Sequence, residues 1–258
     1  MKKEIYAKKK FGQNFLIDQN IIKKIIEVSQ PKNKNIIEIG PGRGALTKIL
    51  VKEANKLVCF EIDPDMVAIL KKEIDEDNFE LNQIDFLNAD LEEYKSYDVI
   101  ANIPYYITTD ILFKIFDYVK NFNSAILMVQ KEVAQRIIAQ KNSPNYSKLS
   151  LTCQYLAECK LEFIVKSNSF SPAPKVDSAI ISLKFKKDIK NYQELKEFFK
   201  LCFIARRKKM SYSLLNKYSL DTINKAYSEL KIDSGIRVQQ LDLECLIKLY
   251  ESLEKFNN

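Results

Sequence analysis

The sequence contains no histidine. That removes imidazole general bases, Ser/His/Asp and Cys/His nucleophile systems, and most zinc sites. Any catalysis in this chain works without them. No run approaches ~18 consecutive apolar residues, which excludes a membrane-spanning helix. The basic start, Met1-Lys2-Lys3-Glu4-Ile5-Tyr6, is followed by no apolar core, so no secretory signal is expected. Five cysteines (Cys59, Cys153, Cys159, Cys202 and Cys245) form no Cys-x-x-Cys pair. Reduced thiols in a cytoplasmic protein, with no metal site, are the expectation.

What is present is a globular balance: 258 residues, 46% hydrophobic and 29% charged. That length suits one ordinary domain with a smaller one. The net charge of +7 is unevenly spread: residues 1–10 carry +4 and residues 184–258 carry +6, which leaves 11–183 at −3. A near-neutral body between basic ends predicts a catalytic domain flanked by basic contact surfaces. Solvated lysines that merely keep the chain in solution are the alternative reading.

From about residue 20 to 185 the pattern alternates between strand and helix. Strands are expected at Asn35–Ile39, Leu57–Glu61, Phe79–Ile84, Tyr97–Ala101, Ala125–Val129, Leu161–Lys166 and Ala179–Phe185. Helices are expected at Asn20–Ser29, Thr47–Ala54, Asp65–Glu73, Thr109–Val119, Lys131–Gln140 and Lys148–Ala157. This predicts an α/β fold with a mostly parallel sheet covered on both faces and an antiparallel closing edge. Past Lys186 only helices are expected: Tyr192–Ile204, Lys208–Asn216, Asp221–Leu230 and Asp242–Leu253. The predicted boundary gives a catalytic domain over 1–186 and a small all-α domain over 187–258.

The segment from Ile36 to Thr47 reads strand, glycine loop, helix, and Gly40, Gly42 and Gly44 are three of only five glycines. Glycine lets the backbone turn sharply and approach a ligand. The loop ends a buried strand, where open α/β sheets bind ligands. Glu61, at the end of the next strand and ~20 residues on, suits the two hydroxyls of a ribose. Asp85, after the third strand, suits an adenine amine. A plain strand–helix turn and a solvated carboxylate remain the alternatives.

After the fourth strand comes Asn102-Ile103-Pro104-Tyr105-Tyr106. An adenine amine is a poor nucleophile because its lone pair is delocalised into the ring. It needs acceptors for its two hydrogens and accurate aim, not a strong base. The Asn102 amide oxygen offers one acceptor and a backbone carbonyl, that of Ile103, the second. Pro104 stiffens the loop, and Tyr105 offers a face on which a purine stacks. In the later stretch from Ser169 to Ser178, Phe170 is a candidate to close over the other face of the base, or else a core aromatic. Arg206, Arg207, Lys208 and Lys209 form a basic run suited to phosphates, as do Lys8, Lys9 and Lys10.

Four stretches together resemble the ribosomal RNA adenine dimethyltransferase family of class I, Rossmann-like methyltransferases. They are Lys10-Phe11-Gly12-Gln13-Asn14-Phe15-Leu16-Ile17-Asp18, Glu38-Ile39-Gly40-Pro41-Gly42, Asn102-Ile103-Pro104-Tyr105 and the run from Phe170 to Ser178. The resemblance spans nearly the whole chain, with the motifs in family order. It implies a seven-stranded sheet with S-adenosyl-L-methionine as methyl donor and S-adenosylhomocysteine as product. Asn14, Leu16, Gly40, Gly42, Glu61, Ile62, Asp85 and Asn102 would surround the donor; Asn102, Pro104, Tyr105 and Phe170 would serve the reaction.

The first motif, and Phe203 to Met210 in the tail, look like the small-subunit branch of that family, not the Erm-type branch that modifies 23S rRNA. This implies dimethylation of two adjacent adenosines near the 3′ end of 16S rRNA within the 30S subunit, by a cytoplasmic monomer with a part in small-subunit biogenesis. Tyr106 departs from the family, since many relatives carry asparagine there. A nicotinamide oxidoreductase would share the glycine loop and Glu61 but leave Asn102–Tyr105 unexplained. A non-catalytic RNA-binding or assembly factor would bind RNA without methyl transfer.

Overall fold

The computed structural model describes Lys8 and residues 11–257. The described chain opens with strand β1 (Phe15–Leu16) and helix α1 (Gln19–Ser29). Asp18 caps α1, accepting the Asn20 N–H at 2.9 Å and the Ile21 N–H at 3.3 Å. The helix buries Ile22, Ile25 and Ser29, a stripe at helical spacing. Then follow β2 (Asn35–Ile39), α2 (Thr47–Glu53), β3 (Lys56–Phe60), α3 (Pro64–Glu73), β4 (Phe79–Asn82), β5 (Tyr97–Asn102), α4 (Thr108–Asp117) and β6 (Phe122–Gln130). The chain continues with α5 (Lys131–Ile137), α6 (Lys148–Leu156), β7 (Ala157–Val165), β8 (Phe170–Ser171) and β9 (Ser178–Phe185). Four helices remain: α7 (Tyr192–Cys202), α8 (Met210–Leu214), α9 (Leu220–Leu230) and α10 (Leu243–Asn257).

Seven strands form one sheet in the order β4-β3-β2-β5-β6-β9-β7. The first five run parallel, and β9 lies antiparallel to β6. Ile36, Ile37, Leu57, Val58 and Val99 are fully buried. Continuous apolar runs of this kind belong to strands covered on both faces. The strand order reverses at β2: β3 and β4 build outward on one side, and β5 returns to the other. Ile39, Phe60 and Ala101 lie in register, so β2, β3 and β5 end together. Their carboxyl ends, at the switch point, form the crevice where such sheets bind ligands.

Several bounds differ from the expected elements, among them that of β7, which begins at Ala157 and not at the expected Leu161. Strand β6 begins at Phe122, three residues before the expected Ala125: Asn123 and Ser124 interrupt the apolar run without ending the strand. A second, two-stranded sheet pairs β1 with β8, Leu16 opposite Phe170 and Phe15 opposite Ser171. Two-residue strands carry no periodicity, so nothing in the pattern announced it.

The chain divides into two compact units. One takes the described residues up to Ala134 with Glu158–Lys187; the other takes Gln135–Ala157 and the chain from Asp188. The helical unit resumes at Asp188, close to the expected 186, but residues 135–157, expected in the first domain, cluster with it. The cause is packing: Ala139, Tyr146 and Leu151 share one buried core with Phe198, Phe199 and Leu249. The Tyr146 hydroxyl also donates to the Leu241 carbonyl at 3.0 Å. Helical periodicity gives an apolar face but not the core it joins. Among the described residues no helix is long and apolar enough to cross a membrane.

Candidate functional site

A cavity of about 430 Å³ opens at the carboxyl ends of β2, β3 and β5. Its floor is the loop after β2. Gly40 donates its N–H to the Phe60 carbonyl at 2.9 Å, which locks the loop to the end of β3. A Cβ built on Gly40 meets nothing within 4 Å, so this side of the loop is open. Gly42, at φ +56°, sits where a Cβ would meet the Phe15 ring at 3.2 Å. Only glycine allows the segment 11–17 to close on the loop there. The Arg43 guanidinium also covers the Phe15 ring, 4.5 Å from its centroid.

Glu61 follows β3 and lines the cavity. Its carboxylate accepts the Gly42 N–H at 3.0 Å on one oxygen and the Asp63 N–H at 2.8 Å on the other. Burial raises its pKa, and the charge of Asp63 adds to that, while the backbone N–H groups oppose it. Each oxygen keeps a lone pair for a ligand hydroxyl. Ile62 and Asp85 line the same cavity. One Asp85 oxygen accepts the Leu87 N–H at 3.0 Å, which leaves the other available.

Glu38 lines the cavity as well, though only as part of a motif did the sequence mark it. It is 3% exposed. Burial pushes its pKa up to about 7, with the nearby Glu61 charge acting in the same sense. The Cys59 thiol donates to it at 3.6 Å. The signal was a carboxylate among the isoleucines of the strand Asn35–Ile39.

The second half of the site begins where β5 ends. The Asn102 side-chain Nδ2 donates to the Asn14 carbonyl at 3.2 Å. That fixes the amide's direction and leaves Oδ1 as the acceptor for a ligand. The Pro104 carbonyl takes the Ile107 N–H at 3.2 Å and the Thr108 hydroxyl at 3.3 Å. Of these two loop carbonyls, that of Ile103 has no such partner among the described residues. Tyr105 is held by a 2.5 Å hydrogen bond between its hydroxyl and that of the fully buried Ser178. Burial raises the Tyr105 pKa. Asn14, Leu16, Asn102, Pro104, Tyr105 and Tyr106 all line the cavity with Gly40, Gly42 and Glu61.

The segment 11–17 is clasped from outside. Asp63, with no exposed side-chain surface, caps α3 and accepts Lys8 Nζ at 2.5 Å and Gln13 Nε2 at 2.8 Å. Lys8 also pairs with Asp65 at 2.6 Å. Burial pushes the Asp63 pKa up, but Lys8 and Gln13 hold it below its ordinary value.

Two expected roles are corrected. Phe170 is 3% exposed, packs in the sheet core and does not line the cavity, because its pairing with Leu16 turns it inward. Lys8 is committed to Asp63 and Asp65 rather than offered to RNA. Lys9 and Lys10 lie outside the described residues. In the helical unit, Arg206 donates to the Ser143 carbonyl at 3.0 Å, while Arg207, Lys208 and Lys209 are exposed.

A mostly parallel seven-stranded sheet with a glycine loop, a buried carboxylate and an Asn-Ile-Pro-Tyr loop on one cavity is the arrangement of a Rossmann-like methyltransferase. The profile of the family described as ribosomal RNA adenine dimethylase matches residues 5–255. The chain belongs to that family. It is 53% identical over 251 residues to the ribosomal RNA small subunit methyltransferase A of Mycoplasmopsis synoviae, covering 96% of this chain and 97% of that one. The protein of the same name from Mycoplasmopsis pulmonis is 49% identical, covering 96% and 99%. Among solved structures, a dimethyladenosine transferase from Plasmodium falciparum superimposes with a TM-score of 0.85 at 27% identity, covering 94% of this chain and 98% of that one. The 23S rRNA methyltransferase ErmE gives 0.73 at 28%, covering 93% and 100%.

Proposed function

We infer that this protein transfers methyl groups from S-adenosyl-L-methionine to the N6 amines of two adjacent adenosines near the 3′ end of 16S rRNA in the 30S subunit. The observation that carries the reading is that one cavity joins a donor cradle (Gly40, Gly42, Glu61) to an amine acceptor (Asn102, Ile103, Pro104, Tyr105). The cradle fits the donor: the open side of Gly40 admits a chain, Glu61 accepts ribose hydroxyls, and Ile62 and Asp85 suit an adenine. When bound, the donor supplies an electrophilic methyl carbon on a sulfonium and leaves as S-adenosylhomocysteine.

The protein's own part is positioning. Asn102 Oδ1 and the Ile103 carbonyl accept the two amine hydrogens and turn the nitrogen lone pair out of the ring plane. Pro104 holds the loop, and Tyr105, anchored on Ser178, stacks on the target base. That base leaves its own stack to enter. The exposed Arg207, Lys208 and Lys209 contact rRNA phosphates. The greater identity to small-subunit relatives favours 16S over 23S rRNA. The reading places a monomer in the cytoplasm, acting during small-subunit biogenesis.

The test is transfer of labelled methyl to purified 30S and 50S particles from cells lacking the enzyme, with the modified bases mapped. Label on 30S adenosines is expected. Label on 50S alone, RNA binding without label, or calorimetric binding of NAD in place of S-adenosylmethionine would overturn the reading.

A further inference from the structure

We propose that Tyr106 is a positioning residue for the RNA, its ring stacking on the base next to the target adenosine. The inference rests on the function proposed above. Tyr105–Ile107 forms a single 3₁₀ turn that leads directly into α4. Successive residues of such a turn project about 120° apart, so the two tyrosines point differently. Tyr105 is anchored by its hydroxyl on the buried Ser178. Tyr106 turns to the cavity mouth, where it lines the cavity and remains 62% exposed.

The ring is nonetheless seated. A Cβ on Gly12 would lie 2.9 Å from both Cδ1 and Cε1 of Tyr106, and Gly12 has φ +57°. One edge of the ring therefore rests on bare backbone, an approach no other residue at position 12 permits. That backbone is itself fixed: Asn14 Nδ2 donates to the Gly12 carbonyl at 3.2 Å, and Gln13 is clasped by Asp63. A large aromatic braced along one edge and otherwise open to water is a platform awaiting a flat partner. Ile17, also exposed, extends the apolar rim of the same cavity.

The partner's chemistry follows from the reaction. Extruding the target base strips its neighbour of a stacking partner. A tyrosine face restores one, and every base has a π-face to offer. The inner ring then serves the target and the outer ring its neighbour, which fixes the entering strand at two points.

The experiment measures methyl transfer to 30S particles at varied particle concentration for the native protein, Tyr106→Ala and Tyr106→Phe. Tyr106→Ala should raise the KM for particles about ten-fold, the effect of losing one base–aromatic stack. Its kcat should change far less, and its Kd for S-adenosylmethionine should not change. Tyr106→Phe keeps the ring and should restore the KM. Particles reconstituted with an abasic nucleotide beside the target, 5′ or 3′, extend the test. One of the two should raise the native KM by the same factor and add nothing to Tyr106→Ala. A native KM in Tyr106→Ala, equal losses in the alanine and phenylalanine variants, or losses that multiply at both abasic positions overturn the inference while the proposed function stands. No transfer by the native protein overturns both.

Discussion

Replacing Glu38 with glutamine should make the stability of this protein less sensitive to pH. The side chain is 3% exposed, beside the charge of Glu61, and its pKa rises from the ordinary 4.5 to about 7. Between those values the native state holds a proton that the unfolded chain has released. Stability then falls as pH rises, because the native state is the one that binds more protons. The penalty is absent below 4.5 and fully present above 7. At about 1.4 kcal/mol per pKa unit it amounts to about 3 kcal/mol. Glu38→Gln keeps the shape and an oxygen for the Cys59 thiol but cannot ionise. Its new N–H donors carry their own desolvation cost, ~1–3 kcal/mol, which does not vary with pH. The diagnostic is therefore the slope and not the offset. Urea unfolding at pH 5, 6, 7 and 8, followed by far-UV circular dichroism since the chain has no tryptophan, gives both curves. The variant should gain about 2.5 kcal/mol on the native protein across that range, since a little of the penalty is already present at pH 5. Parallel curves would refute the reasoning, because they would mean that Glu38 is ionised throughout.

Three further outcomes follow from the same geometry. Asn102→Ala removes the proposed amine acceptor and the tie to Asn14; labelled methyl incorporation should fall ~100-fold or more, while calorimetry still detects weakened S-adenosylmethionine binding. Changing Arg207, Lys208 and Lys209 together to glutamine should lower the salt dependence of rRNA binding by ~2 in log–log slope, at about 0.7–0.9 per lost phosphate contact; an unchanged slope in filter binding would remove them from the interface. Asp63→Ala takes away the α3 cap and the anchor of Lys8 and Gln13. It should cost at least ~1 kcal/mol from the cap alone, most visibly at neutral pH. The Asp63 pKa is held below its ordinary value, so the stability it adds is present above that value and lost as pH falls through the native one.

How much of this was legible in the sequence depended on the range of the interaction that fixes each part. The parallel strands were legible because burial on both faces forces apolar runs, as in Asn35–Ile39 and Lys56–Phe60. The meeting of the glycine loop with Glu61 was legible because Gly42 and Glu61, 19 residues apart, come together wherever β2 and β3 pair in register. Long-range docking was not. Nothing in Phe170 says that it will pair with Leu16 and turn into the core, and no period links Ser178 to the Tyr105 hydroxyl. Lys8 looked like one charge in a basic cluster, yet a buried carboxylate 55 residues away claims it. The small pairing of β1 with β8 explains why these surprises occur together. It ties the first motif of the chain to the last, across the end of the sheet where the other two motifs lie. Three of the four motifs thus wall one cavity, and the fourth braces it from behind through β8 and Ser178, so a substitution in the segment 11–17 should alter the proposed donor and amine sites at once.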